Sequence, residues 1–139
     1  MNDYIEKLFS LQDKATIVAG SPRGTGAKIT HGLFKAWATI ACIARSSEPE
    51  RKLPQANYRQ CNILNFKAFE KLCEGARHQF GRINILVNSV VIFLVITEKV
   101  NRNELFNQML SMNLSSIYRC CGTTAKFMEL AAGIDYKYN

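Results

Sequence analysis

Metal-binding and disulfide patterns are missing from this sequence of 139 residues. It has only two histidines, and its five cysteines are an odd number with no Cys-x-x-Cys pair. Neither a zinc site nor a complete disulfide framework is therefore predicted. We expect reduced thiols packed in the interior of a cytoplasmic protein. The cysteines are Cys42, Cys61, Cys73, Cys120 and Cys121.

Long hydrophobic runs are also missing. The longest uninterrupted apolar stretch is the seven residues from Val90 to Ile96, whereas a membrane-spanning helix needs about 20. The first residues are acidic and amphipathic and do not have the basic and then apolar regions of a secretory signal. The sequence therefore predicts no membrane segment. With 47% hydrophobic residues it predicts one globular domain over residues 1–139.

Acidic residues are scarce, which leaves a net charge of +7. Between Lys14 and Arg59 eight basic residues face only two acidic ones, Glu48 and Glu50. Such an excess favours a polyanionic ligand, either a phosphorylated small molecule or a nucleic acid, although a solvated basic face would look the same. No basic stripe is interleaved with aromatic residues and no nucleic-acid motif occurs, so nucleic-acid binding is disfavoured.

Glycine is present where it has a recognisable use. The apolar run Ala15 to Ala19 leads into Gly20-Ser21-Pro22-Arg23-Gly24-Thr25-Gly26 and then into helix-forming residues. This pattern predicts a strand, a glycine turn and a helix N-terminus, a junction that favours bound anions. The spacing is neither Gly-x-Gly-x-x-Gly nor that of a P-loop, so a plain strand-to-helix connection is an alternative.

Apolar periodicity predicts alternating strands and helices along the rest of the chain. Asn65 is expected to cap one helix that Gly81 ends, and Asn103 to cap the last helical region. Helices between apolar strands indicate crossover connections, and these predict a doubly wound α/β fold with a parallel sheet. The predicted elements are a helix over 27–36, strands over 39–44, 58–62 and 83–88, and helices over 65–80 and 104–127, the last with one break.

In this order the motifs resemble the N-terminal, cofactor-binding half of the short-chain dehydrogenase/reductase family. The segment Ala19 to Gly26 is similar to the family's Thr-Gly-x-x-x-Gly-[Ile/Leu]-Gly motif. The segment Asn88-Ser89-Val90-Val91 is similar to its Asn-[Asn/Ser]-Ala-Gly motif, and Asn113 is similar to the asparagine that the family has in a helix. The resemblance implies a Rossmann-like, doubly wound parallel sheet with strand order 3-2-1-4, truncated before the C-terminal strands. It also implies carbonyl/alcohol oxidoreduction with a nicotinamide dinucleotide.

The resemblance further implies which residues hold that cofactor. An acidic residue about 20 residues after the glycine motif would bind the 2′-hydroxyl of NAD, whereas an arginine suits the 2′-phosphate of NADP. Arg45 stands there, so NADP(H) is expected, unless Arg45 merely caps a loop. The candidate cofactor-binding residues are Gly20, Ser21, Arg23, Gly24, Thr25, Gly26, Arg45, Ser46, Asn62 and Asn88.

Several positions depart from the family pattern. Trp37 stands where many members have glycine, and a left-handed backbone there would cost on the order of 1 kcal/mol or more. Ala19 replaces a threonine. Val90 and Val91 replace alanine and glycine and are expected to crowd the cofactor. Weak cofactor binding is therefore predicted.

The family's catalytic serine and Tyr-x-x-x-Lys pair have no counterpart, since no Tyr-x-x-x-Lys occurs anywhere in the chain. Asn113 is the one candidate catalytic residue, unless it is an ordinary helix residue. The chain as given is therefore expected to be inactive. The alternative is a non-catalytic interaction protein that self-associates or docks on a full-length relative through an exposed apolar sheet edge at Ile83 to Val87.

Overall fold

The computed structural model describes residues 3–46, 52–53, 56–92 and 101–132, the last four of these as backbone. A π-helical turn, Ser111–Ser115, joins the last two helices into one continuous helical segment. The elements are α1 (Asp3–Phe9), β1 (Ala15–Ala19), α2 (Gly24–Lys35), β2 (Thr39–Ala44), β3 (Ala56–Gln60), α3 (Phe66–Phe80), β4 (Ile85–Asn88), α4 (Arg102–Leu110) and α5 (Ser116–Ala132).

The four strands form one parallel sheet in the order β3-β2-β1-β4, which confirms the predicted order 3-2-1-4. In the register of the sheet, Ile17 of β1 lies between Ala41 of β2 and Leu86 of β4. The chain adds strands on one side of β1 and then returns to add β4 on the other. That reversal opens a crevice at the carboxyl ends of β1 and β4.

Alternate residues of the strands point to opposite faces of the sheet and build two hydrophobic clusters. Ile17, Ala41 and Ile43 belong to the larger cluster, which includes residues of α3 and α5. Val18 and Cys42 belong to the smaller one, with Leu33 and Phe34 of α2 packed against it. Helices therefore cover both faces of the sheet, as a doubly wound fold requires.

Helix α3 follows the sequence prediction closely. The Asn65 side chain accepts a hydrogen bond from the N–H of Ala68 at 3.1 Å, and Gly81 ends the helix in a left-handed conformation. The core face of the helix carries Phe69, Leu72, Cys73 and Ala76, all buried.

Several predicted boundaries differ from the structure by two or three residues, and two of them have a local reason. The cap of α4 is Asn101, whose Oδ1 accepts from the N–H groups of Asn103 and Glu104 at 3.0 and 3.4 Å, and not Asn103. Strand β3 ends at Gln60, two residues before the predicted Asn62. Asn62 turns the chain instead, because its Oδ1 accepts from the N–H of Leu64 at 3.1 Å.

The segment Ile83 to Val87, predicted as an exposed apolar edge, has its apolar side chains partly or fully buried, and self-association through this edge stays a prediction. Ile83 is buried and Leu86 packs against the core. Asn84 fastens this segment to β1, since its N–H donates to the Ala15 carbonyl at 2.8 Å and its Oδ1 accepts from the Ala15 N–H at 3.0 Å. Among the described strands β4 pairs with β1 alone. The apolar run continues into residues 93–100, which lie outside the described residues.

Candidate cofactor-binding site

A cleft of about 530 Å³ opens at the carboxyl ends of β1, β2 and β4. It lies at the crevice where the strand order reverses, the place where open α/β sheets bind ligands. Its volume is in the range of about 300–1,000 Å³ that is typical of small-molecule sites. The lining residues are Gly20, Pro22, Arg23, Ala44, Arg45, Ser46, Ser89, Val90 and Val91.

Gly20 allows the turn after β1 to pack closely against the segment that follows β4. Its φ is +85°, and a Cβ atom at this position would lie 2.5 Å from the carbonyl oxygen of Ser89. Its N–H donates to the carbonyl of Ile43 at 2.8 Å, which ties the turn to β2 as well. Both the backbone conformation and the close approach therefore require glycine here.

Gly26 and Gly24 have opposite surroundings at the start of α2. A Cβ on Gly26 would lie 2.0 Å from the Gly20 carbonyl oxygen, so this glycine lets the helix pack directly on the turn. Gly24, with a φ of +54°, has no atom within 4 Å of its would-be Cβ. The helix has no acidic residue in its first turn and no side-chain cap from Arg23. Its first N–H groups are therefore available to an anion.

Two arginines line the cleft. Arg23 and Arg45 are both exposed, and no described residue forms a hydrogen bond or ion pair with either guanidinium group. The loop at Arg45 is held through the backbone, because Gln60 Nε2 donates to the Arg45 carbonyl at 2.8 Å. No aspartate or glutamate occurs among the described lining residues. The charged side chains among the described lining residues are therefore both positive.

Ser21 and Thr25 do not line the cleft. Ser21 is buried, and its hydroxyl lies with that of Thr30 beside the Cys42 thiol. Burial raises the pKa of Cys42, and the two hydroxyls offset part of that rise. Thr30 Oγ1 also donates to the Gly26 carbonyl at 2.8 Å. Ser21 is therefore buried next to Cys42, whereas Thr25 is exposed on α2.

Asn62 and Asn88 also lie outside the cleft lining. The Asn62 Oδ1 accepts a hydrogen bond from the N–H of Leu64 within the turn after β3. Asn88 Nδ2 donates to Cys121 Sγ at 3.3 Å, and its Oδ1 is buried without a hydrogen-bond partner among the described residues. Cys121 itself is exposed, so the prediction of a buried thiol was wrong for this one cysteine of the five.

Asn113 lies in the π-helical turn and holds the segment after β4. Its Oδ1 accepts from the N–H of Ile92 at 2.9 Å, and its Nδ2 donates to the carbonyl of Ile92 at 3.0 Å. Both polar atoms of the Asn113 amide therefore form hydrogen bonds to the backbone of Ile92. The sequence gives no indication of these two hydrogen bonds, because Ile92 and Asn113 are 21 positions apart.

Comparison with known proteins decides the family. A family model described as short chain dehydrogenase matches residues 14–134. The chain belongs to the short-chain dehydrogenase/reductase family. Members of this family bind NAD(P) dinucleotide cofactors.

Among its short-chain dehydrogenase relatives, the D-threitol dehydrogenase of Mycolicibacterium smegmatis is 28% identical over 134 residues, which cover 90% of this chain and 51% of that protein. An NAD⁺-bound short chain dehydrogenase from Leptospira borgpetersenii has a TM-score of 0.77 at 18% identity, covering 91% of this chain and 49% of that one. The Pseudomonas aeruginosa RhlG/NADP complex has a TM-score of 0.78 at 19% identity, covering 88% and 51%. The chain thus spans about half the length of the relatives it matches.

The cleft of this short-chain dehydrogenase chain fits the phosphate end of a dinucleotide. Gly24 leaves open space at a free helix N-terminus, and Arg23 and Arg45 flank it. The fit is poorer beside β4, where Val91 is 70% exposed on the cleft wall. Val90 also lines the cleft but is half-buried and packs against the core, so Val91 is the more exposed of the two residues predicted to crowd the cofactor.

A metal-binding cluster and a membrane-spanning helix are both absent from the described part of the chain. No group of three or more histidine, cysteine, aspartate or glutamate side chains within it could hold a metal ion. Of the helices in those same residues, none has the length and apolar content needed to cross a bilayer.

Proposed function

We propose that this chain binds NADP(H) in preference to NAD(H) in the cleft at the carboxyl ends of β1, β2 and β4. The single observation that supports the preference is the lining of the cleft, which contains Arg23 and Arg45 and no described carboxylate. Guanidinium groups bind phosphate through paired, charge-assisted hydrogen bonds, whereas NAD is normally held by a carboxylate on its ribose 2′-hydroxyl. The structural relatives include both an NAD⁺ and an NADP complex, so the choice rests on the arginines.

Calorimetry with NADPH and NADH tests this preference. Hydrogen bonds to charged groups contribute about 1.5–3 kcal/mol, so Arg45→Ala should weaken NADPH binding by about 10- to 100-fold and leave NADH binding unchanged. Arg82→Ala is the matched control, because Arg82 is exposed beside the amino end of β4, away from the cleft. Tighter binding of NADH by the unaltered chain, or an equal loss in both variants, would refute the proposal.

We also propose that the 139 residues alone do not catalyse carbonyl reduction. A positioned general acid contributes about 10²–10⁴-fold to such a step, and the sequence contains no Tyr-x-x-x-Lys to supply it. Asn113 is bonded through both polar atoms to Ile92, which supports a structural role for it in this chain.

The assay follows NADPH absorbance with a panel of ketones and aldehydes, and we expect no saturable turnover. Turnover that co-purifies with the chain and is lost in a Tyr136→Phe/Tyr138→Phe variant would show that one of these tyrosines supplies the acid.

A further inference from the structure

The part of the cofactor cleft that follows β4 carries an exposed apolar side chain. Val91 lines the cleft there, and 70% of its surface is exposed. Val90 lines the cleft beside it but packs against the core. The other lining residues, apart from Ser89, follow β1 and β2. The Val91 side chain therefore occupies space at the β4 end of the cleft.

The backbone on both sides of Val91 is held in place. Before it, the Ser89 N–H donates to the last carbonyl of β1 at 2.8 Å, and a Cβ atom on Gly20 would lie 2.5 Å from the Ser89 carbonyl oxygen. After it, the Asn113 amide bonds both the N–H and the carbonyl of Ile92. A β-branched side chain also has few allowed rotamers. Val91 is therefore a fixed wall that does not move aside for a ligand.

A dinucleotide that is anchored by its phosphates would extend toward this wall. An arginine after β2 suits the 2′-phosphate of the adenosine, and a helix N-terminus suits the pyrophosphate. Arg45 follows β2, and Gly24 begins α2 after β1. Since β4 lies on the other side of β1 from β2, a ligand held by these two contacts would direct its nicotinamide end toward β4 and Val91.

We propose that Val91 keeps the nicotinamide of a bound NADP(H) outside the cleft, so that this chain recognises only the 2′-phospho-ADP-ribose part of the molecule. This inference rests on the proposed binding of NADP(H). The ligand class is then the 2′-phosphorylated adenine nucleotides, with or without a nicotinamide. The family motif has glycine at the position of Val91, so this restriction is a property of this chain and not of its family.

The chemistry of the lining agrees with recognition of one end of the ligand. The charged side chains, Arg23 and Arg45, can bind phosphate through charge-assisted hydrogen bonds. The valine side chain offers no hydrogen bond to the carboxamide of a nicotinamide. Hydride transfer needs the reacting atoms about 3–3.5 Å apart, and a nicotinamide outside the cleft is not held at such a distance.

The test is calorimetry of the full chain with NADPH and with 2′-phospho-ADP-ribose, which keeps every phosphate and lacks the nicotinamide. We expect dissociation constants within about 3-fold of each other, less than one typical hydrogen bond contributes. Val91→Ala should tighten NADPH binding by about 2- to 10-fold, as for one hydrogen bond gained. It should leave 2′-phospho-ADP-ribose binding unchanged, which also shows that the variant is folded. Val91→Leu is the matched control and should alter neither affinity, because the nicotinamide is already outside.

Saturation-transfer NMR with NADP⁺ shows directly which end of the ligand touches the protein. In the unaltered chain we expect saturation of the adenine protons and none of the nicotinamide protons. In Val91→Ala the nicotinamide protons should be saturated as well.

Three results would each overturn the inference and leave the preference for NADPH over NADH standing. The first is NADPH binding more than about 3-fold tighter than that of 2′-phospho-ADP-ribose, a difference that a bound nicotinamide would explain. The second is NADPH binding that Val91→Ala weakens or leaves unchanged. The third is saturation of the nicotinamide protons in the unaltered chain. A chain that binds neither NADPH nor 2′-phospho-ADP-ribose would refute the proposed function itself and this inference with it.

Discussion

Trp37 occupies the left-handed position that ends α2, with a φ of 72°. Its N–H donates to the Phe34 carbonyl and the Ala38 N–H to the Leu33 carbonyl, both at 3.0 Å. These two bonds form a Schellman motif, in which glycine is the usual residue at this position. The indole is 68% exposed, so little packing offsets the backbone strain.

Replacing Trp37 with glycine should therefore stabilise the fold. A non-glycine residue in this conformation costs about 1–2 kcal/mol, and the greater freedom of glycine in the unfolded chain returns part of that. We expect Trp37→Gly to raise the free energy of unfolding by about 1 kcal/mol in urea denaturation followed by circular dichroism. Trp37→Ala keeps the Cβ atom and should gain little. Equal stability of the two variants would contradict the strain argument.

The glycine turn allows a matched pair of substitutions. Gly20 and Gly24 both have positive φ, but only Gly20 would bring a Cβ atom against backbone, at 2.5 Å from the Ser89 oxygen. We expect Gly24→Ala to cost about 1 kcal/mol from conformation alone, and Gly20→Ala to cost about 2–4 kcal/mol because overpacking adds about 1–3. Urea denaturation measures both. Similar costs would mean that the turn can move away from β4.

At the scale of elements, hydrophobic periodicity and capping residues were enough to predict most of the fold. Asn65 and Gly81 marked the ends of α3, and the buried run Ala15–Ala19 marked the central strand. The strand order followed from the family resemblance. Gly20, Arg23, Arg45 and Ser46 line one cleft, and their role in cofactor binding stays a prediction.

Other elements could not be predicted, because they depend on tertiary contacts. The π-helical turn and the bonds from Asn113 to Ile92 join segments that periodicity treats separately. Ser21 shows the same limit, since a polar residue in a turn is buried here by the close packing of α2 on β1 and β2.

The bonds of Asn113 predict a measurable contribution to stability. Asn113→Ala leaves the N–H and carbonyl of Ile92 without these partners, which should cost about 1–3 kcal/mol in urea denaturation. Asn107→Ala is the control, because Asn107 is exposed on α4 and its side chain makes no hydrogen bond to a described residue. We expect that variant to stay within about 0.5 kcal/mol of the unaltered chain. Equal losses would show that the bonds to Ile92 contribute nothing beyond the propensity of the helix.

At the scale of the whole molecule, buried thiols make the free energy of unfolding change with pH in the alkaline range. Burial raises the pKa of Cys73 to about 11 and that of Cys120 to about 12, from an ordinary value of 9.0. Their folded-state pKa values are higher than the unfolded ones, so the unfolded chain releases protons first as the pH rises. The stabilisation from neutral thiols is therefore complete below about pH 9 and is lost above it.

We expect the free energy of unfolding to fall above pH 9 by up to about 1.4 kcal/mol per pH unit for each of these thiols. Urea denaturation at a series of alkaline pH values measures the slope, and Cys120→Ala should make it shallower. Cys121→Ser serves as the control, because Cys121 is exposed and raises the pKa of Cys120 less than burial does, so its replacement should change the slope less than Cys120→Ala. A slope that Cys120→Ala does not alter would assign the alkaline loss to other groups.

The π-helical turn holds one residue more than an α-helical turn. Loss of the codon for the exposed Ser115 would therefore restore a plain α-helix and leave α5 in nearly the same rotation, with Cys120 and Thr124 still in the core. The same loss at Lys71 in α3 would rotate the buried residues after it by about 100°. We therefore expect a one-residue in-frame deletion in the π-helical turn to be tolerated far better than one in α3.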